Sequence, residues 1–251
     1  MKVSCLRKNN QYNNSSLALI LFFITFLFTF NAFGEILLFD DFSDGSLNNP
    51  PESVNNPIWE NRVPGWGWPT IIDDGTGNMV IKHKALSLSA GSEEWTDYTT
   101  EVRFRFLRES EGGNPEIFRC FNIRPRVIDG SDAANWQGMI YKDPKDNSVY
   151  FKIVRSVDHL QPIAIKFGDD LSVFGYEWHT FAVQVIGNQM TLFFNGEEVK
   201  GSRTILDDES CPFNPRGNIA IYMDKVVGTP ADPYMLIDYI KVTDDALKIF
   251  L

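Results

Sequence analysis

The chain has 251 residues, 43% of them hydrophobic and 14% aromatic, with a formal net charge of −10 at pH 7. Phosphate backbones are bound by basic surfaces, so this acidity argues against nucleic acid as a partner. An acidic surface suits an exported protein that stays soluble or collects divalent cations.

At the N-terminus, Lys2, Arg7 and Lys8 precede the continuous apolar run LALILFFITFLFTF at 17–30, and NAFG then brings small residues at Ala32 and Gly34. Basic, apolar and small residues in that order make a secretory leader over residues 1–34, with Glu35 as the expected mature N-terminus. The apolar run has 14 residues, short of the roughly 18–20 that span a bilayer, so cleavage is expected rather than anchoring. Cys5 lies before the run and not just after it, which disfavours a lipoprotein. No second apolar run follows, so the expected location is secreted or extracytoplasmic, with no membrane span in the mature chain. The leader carries three basic residues and no acidic ones, so its removal takes the charge from −10 to −13. Residues 35–251 are long enough for one large all-β domain. Two cysteines remain there, Cys120 and Cys211; in an oxidising compartment an even pair suggests one disulfide, the alternative being two free thiols with one buried.

Along the mature chain, apolar residues alternate with polar ones, and almost nothing repeats with a helical period. EILLFDDF opens the domain, and GSLNNPPESVNNP (45–57) reads as a long loop. Residues 70–90 read as strand, Gly-rich turn and strand. In YTTEVRFRFLRE (98–109), Val102, Phe104 and Phe106 face one way, and Glu101, Arg103 and Arg105 the other. EIFRCFNIRP, WQGMIYK and NSVYFKIVRSV follow as strands. HTFAVQVIG and MTLFFNGEEV form a hairpin around Gly187-Asn188, and GNIAIYMDK and YMLIDYIKV close the chain. About a dozen short strands separated by Gly, Pro, Asn and Asp predict a sandwich or barrel.

DDFSDGSL, Trp59, WTDYTTEVRFRF, YEWHTFAVQVIGNQMTLFFNGEEV and the closing IDYIKV stand in an order that resembles concanavalin A-like (laminin-G-like) jelly-roll domains, across nearly all of the mature chain. The resemblance implies an all-β fold, two antiparallel sheets in a jelly-roll sandwich. It leaves the function open, because one fold serves lectins, glycosidases and adhesion modules. Glycosidases need two carboxylates at the scissile bond, and the laminarinase-like members carry them as Glu-x-Asp-x-x-Glu on one strand. No such array occurs here; after Glu101 the same face of EVRFRF continues with Arg103 and Arg105. The chain is also similar to the 3-keto-disaccharide hydrolase-like group, whose site has no pattern that maps onto these residues. The laminarinase-like resemblance further implies a structural Ca²⁺, held by the last-strand aspartate, here Asp238, with Asp41 and the turn glycine Gly77 as weaker correspondences. Hard oxygen ligands suit that ion; the alternative is an aspartate that caps a strand end.

His83, His159 and His179 are scattered, without zinc spacing, and DDGTGN (73–78) lacks the lysine and helix of a phosphate loop. Two other groups remain as ligand candidates. Trp66 and Trp68, in RVPGWGWPTI, can form a stacking platform for sugar rings or plug one end of the sandwich. Arg103, Arg105, Arg119 and Tyr150 are each out of phase with the apolar set of their strands, which places them on an outer sheet face; in this superfamily the concave face often holds glycans. Paired charges on a solvated sheet are the plain alternative. The expected function is an exported, non-catalytic module that recognises carbohydrate or a glycoconjugate. The alternatives are a secreted glycosidase-like hydrolase and a structural or adhesive domain that binds protein. N-terminal sequencing of the exported protein is expected to begin near Glu35; intact Met1 in a membrane fraction would contradict the leader.

Overall fold

The structure is a computed structural model that describes residues 34–48, 54, 57–63, 68–83, 86–128, 136–156, 158–206, 213–225 and 234–245. The expected leader lies outside the described residues. No helix among them is long and apolar enough to cross a membrane.

Sixteen strands are present among the described residues. In chain order they are β1 (Ile36–Asp40), β2 (Glu60–Asn61), β3 (Thr70–Asp73), β4 (Met79–His83), β5 (Leu86–Ala90), β6 (Tyr98–Phe106), β7 (Phe118–Val127) and β8 (Trp136–Lys142). Then follow β9 (Val149–Arg155), β10 (Ile163–Gly168), β11 (His179–Ile186), β12 (Gln189–Phe194), β13 (Glu197–Glu198), β14 (Thr204–Ile205), β15 (Asn218–Lys225) and β16 (Met235–Asp244). A nine-stranded sheet runs β13-β12-β11-β6-β16-β4-β3, with β1 on β16 and β14 on β12; a seven-stranded sheet runs β10-β9-β8-β7-β15-β5-β2. All pairings are antiparallel. Of the longer strands, β10 is the one the sequence reading passes over. It lies at a sheet edge, where Ile163, Ile165 and Phe167 alternate with Ala164, Lys166 and Gly168 and none of the six is fully buried. Trp68 lies just before β3, which pairs with β4.

β6 shows why the sandwich forms. Its residues alternate buried and half-exposed along the whole strand, because successive side chains of a strand point to opposite faces. Phe104 and Phe106 meet Phe121 and Phe118 of β7 across the interior, with ring centroids 5.5 and 5.1 Å apart. The sheets also approach closely at Gly138 of β8. A Cβ there would lie 2.5 Å from Val183 and 2.6 Å from Leu192 of the opposite sheet.

One end of the sandwich is closed by a buried cation. Arg126, 2% exposed, is the penultimate residue of β7. Its backbone N–H donates to the Tyr98 hydroxyl at 2.6 Å, its Nε to the Thr96 carbonyl at 2.7 Å, and its terminal nitrogens to the carbonyls of Gly187 and Asn214 and to Asp97. Gly187 turns the β11–β12 hairpin and Tyr98 starts β6, both in the nine-stranded sheet, so the guanidinium joins the two sheets. The Tyr98 hydroxyl in turn reaches the Gly217 and Asn218 carbonyls at 3.1 and 3.2 Å. Gly217 has φ +151°, and a Cβ there would stand 2.4 Å from the Arg126 carbonyl carbon, so this approach requires glycine.

A second buried polar pair fixes the first strand. Asp40 accepts from the Trp59 indole at 2.7 Å and the Phe42 N–H at 2.8 Å. Burial nonetheless pushes its carboxyl up to about 6, the two hydrogen bonds opposing the shift.

Two outcomes are expected. Arg126→Met strands Asp97 and several carbonyls, and removal of one buried ionic partner costs about 3–5 kcal/mol, measurable by denaturant unfolding. Asp40 binds its proton more tightly when folded, so its stabilising contribution is complete below the unfolded pKa of about 4 and lost as pH rises through about 6. The stability of the native chain relative to Asp40→Asn is therefore expected to fall by roughly 3 kcal/mol across that window.

Candidate functional site

The outer face of the seven-stranded sheet carries a groove of about 440 Å³. It arises from strand alternation. Phe121, Ile123, Ile140, Phe151, Ile153, Ile221 and Met223 enter the core, which turns their neighbours outward. The strand register then sets those neighbours in cross-strand rows. One row runs Tyr150, Tyr141, Cys120 and Asp224, and the next Lys152, Met139, Asn122 and Tyr222. Gln137 and Arg124 continue the surface, while His159 and Gln161 reach it from the loop after β9.

Hydrogen bonds and ring contacts hold this surface in place. Arg124 lies 4.7 Å above the Tyr222 ring, and its Nε donates to Gln137 at 3.1 Å. Lys152 places its Nζ 3.9 Å from the Tyr141 ring centre and 5.1 Å from that of Tyr150. Arg119 stands 3.6 Å from Asp224. Burial, and then the Asp224 charge, push the Tyr222 hydroxyl up to about 12; burial first and Asp143 second raise that of Tyr141. Both hydroxyls are therefore neutral at physiological pH and able to donate or accept. Asn122, 1% exposed, forms part of the floor, and its Oδ1 has no hydrogen-bond partner.

Arg119 lines the groove and Tyr150 lies on the same sheet face. Arg103 and Arg105 do not join them. The expectation that all four share one side of one sheet is corrected, because β6 belongs to the nine-stranded sheet and β7 and β9 to the other. Arg103 donates to Asp238 at 2.5 Å, and Arg105 makes a two-pronged pair with Glu111 at 2.9 and 3.0 Å. Both guanidinium groups also cover Trp178, at 5.1 and 5.4 Å, above a small apolar cluster of Val80, Leu107 and Leu236. These arginines are committed to neighbours on that face, Asp238 of β16, Glu111 of the turn after β6 and Trp178 just before β11. Trp68 is 50% exposed in a separate cleft with Ser46, Leu47 and Pro69 and does not line the groove. Trp66 lies outside the described residues.

The residues expected to hold calcium are engaged otherwise. Asp238 is buried, one oxygen taking the Arg103 guanidinium and the other the Asn78 amide. Asp41 accepts from Ser43 N, and the Gly77 N–H donates to Asp73. Among the described residues, no three His, Cys, Asp or Glu side chains are grouped to hold an ion. A guanidinium already supplies the positive charge at Asp238, so this donor set does not fit Ca²⁺. Of the two cysteines expected to pair, Cys120 is a free, buried thiol whose pKa is pushed up to about 12, chiefly by burial, and Cys211 lies outside the described residues. His179 is structural, with its Nε2 2.6 Å from the Phe174 carbonyl oxygen and its ring stacked on Phe194.

Arg124, Gln137, Tyr141 and Tyr222 were not singled out from the sequence. The signal was present in WQGMIYK and NIAIYMDK, where these positions are out of phase with apolar ones, but no local pattern ties the two strands to one face.

No protein-family model matches the chain, and no curated protein matches it. Solved structures do. The laminarinase from Flavobacterium sp. UMI-01 is 15% identical at a TM-score of 0.54, with 84% of this chain and 100% of that one covered. The laminarinase catalytic domain from Thermotoga maritima MSB8 is 13% identical at 0.55, covering 84% and 98%. The Bacteroides ovatus mixed-linkage glucan GH16 protein, in complex with a G4G4G3G product, is 14% identical at 0.55, covering 82% and 100%. At these identities the likeness establishes fold, and the chain has the concanavalin A-like jelly-roll fold.

Proposed function

We propose that the protein is an exported, non-catalytic module that binds carbohydrate in the groove of the seven-stranded sheet. The observation that carries this reading is the density of hydrogen-bonding groups fixed on one open surface: Arg119, Arg124, Asn122, Gln137, Tyr141 and Tyr222. A sugar presents many hydroxyls that both donate and accept, and a preorganised array of amide, guanidinium and phenol groups matches them at little ordering cost. The tyrosine rings hold Lys152 and Arg124 by cation–π contact, which limits their motion. Several proteins of matching fold are by name laminarinases or glucan-acting, which supports a carbohydrate ligand.

Hydrolysis by the usual glycosidase route requires two carboxyls about 5–10 Å apart across the sugar. Among the described lining residues Asp224 is the single carboxylate, and Arg119 stands against it. That lining favours recognition over cleavage.

Affinity electrophoresis against a panel of neutral and acidic polysaccharides tests the reading. The full chain is expected to be retarded by at least one of them without releasing reducing ends. Tyr222→Ala removes a groove hydroxyl and the ring beneath Arg124, and is expected to weaken binding about tenfold, some 1.4 kcal/mol, with unchanged circular dichroism. Undiminished retention of Tyr222→Ala would move the site elsewhere.

A further inference from the structure

We propose that the groove selects an anionic saccharide, one that carries a carboxylate or a sulfate ester, and that Lys152 seats the anion. The proposal rests on the groove being a carbohydrate site, and names the class of sugar.

The reason lies in the uneven pairing of charges on this face. Lys152 projects from the middle of β9 and is only 9% exposed. Its described contacts are the faces of Tyr141 and Tyr150; it has no hydrogen-bond or ion-pair partner among the described residues. A cation with so little of its side chain exposed is normally paired, because ring faces replace only part of its lost hydration. Other buried cations of this protein follow that rule: Arg126 has Asp97, Lys142 has Glu116 and Arg155 has Asp158. Lys152 departs from it, and it does so inside the groove.

The surroundings agree. Arg119, Arg124 and Lys152 bring three cations to the lining against the one carboxylate of Asp224, in a chain whose net charge is −10. Burial lowers the Lys152 pKa, with Asp143 opposing the shift. A bound anion would restore what burial removes. In the same cross-strand row as Lys152, Asn122 lies buried beneath the groove. An ammonium without a protein acceptor fits a sugar that carries an acidic group, which a neutral glucan lacks.

The test compares the full chain with Lys152→Met, which keeps the apolar stem, and Lys152→Arg, which keeps the charge. Alginate and polygalacturonate present carboxylates, carrageenan and heparin present sulfates, and laminarin is neutral. The native protein and Lys152→Arg are expected to bind at least one acidic polymer, more weakly as sodium chloride is raised. Lys152→Met is expected to bind it about tenfold less tightly or worse, with an unchanged melting curve. The arm that responds identifies the anion. If laminarin binds, is lost in Tyr222→Ala, and is unaffected by Lys152→Met while acidic polymers fail to bind, the anion proposal is overturned and the groove stands. The proposal also falls if Lys152→Met binds an acidic polymer as tightly as the native chain. If no polysaccharide binds at all, both readings fall together.

Discussion

The sandwich depends on one buried guanidinium. Two antiparallel sheets can stack through apolar contact alone, but that attraction is non-directional and leaves their relative position loosely specified. Arg126 adds direction. From the end of β7 it reaches the Thr96 and Gly187 carbonyls and Asp97 on the nine-stranded side, and the Asn214 carbonyl beside β15. Each of those groups would be under-bonded without it, so the sheets are held in the one arrangement that satisfies all of them. The close approach at Gly217 and the Tyr98 hydroxyl belong to the same knot.

With the sheets fixed, the aromatic interior can pack as a unit. Phe104 and Phe106 touch Phe121 and Phe118 across the sheets, Phe151 stacks near Phe181, and Phe174 closes the far side against Phe106. The groove rests on this layer. Phe121, Ile140, Phe151 and Ile221 lock the central strands, and their outward neighbours inherit fixed positions. The rigidity on which polar recognition depends comes from the core beneath the groove.

The two outer faces have divided roles. On the nine-stranded sheet, each outward arginine has a carboxylate partner and a share of the Trp178 ring. Along the groove of the seven-stranded sheet three cations face one carboxylate, and Lys152 among them contacts ring faces alone. Both faces are built by the same alternation, and their difference lies in the balance of cations and carboxylates along them. That difference makes one face a scaffold and the other a candidate site.

The sequence by itself determined which residues point outward. Strand alternation is local: Val102, Phe104 and Phe106 must share a face, and Arg103 and Arg105 the opposite one, whatever the rest of the chain does. The sandwich class, the Gly187-Asn188 hairpin and the absence of the laminarinase-like carboxylate strand follow from patterns of that short range. Only the tertiary structure decided which outward residues meet. β6 pairs with β11 and β16, and β7 with β8 and β15, and these partners are far apart in sequence. Arg103 and Arg119 were therefore alike in their local pattern and ended on different sheets. Tyr222 and Lys152, some seventy positions apart, came into one cross-strand row. Arg126 reads in its strand as one more basic residue beside a proline; its role exists only once both sheets close around it and leave it no water to bind.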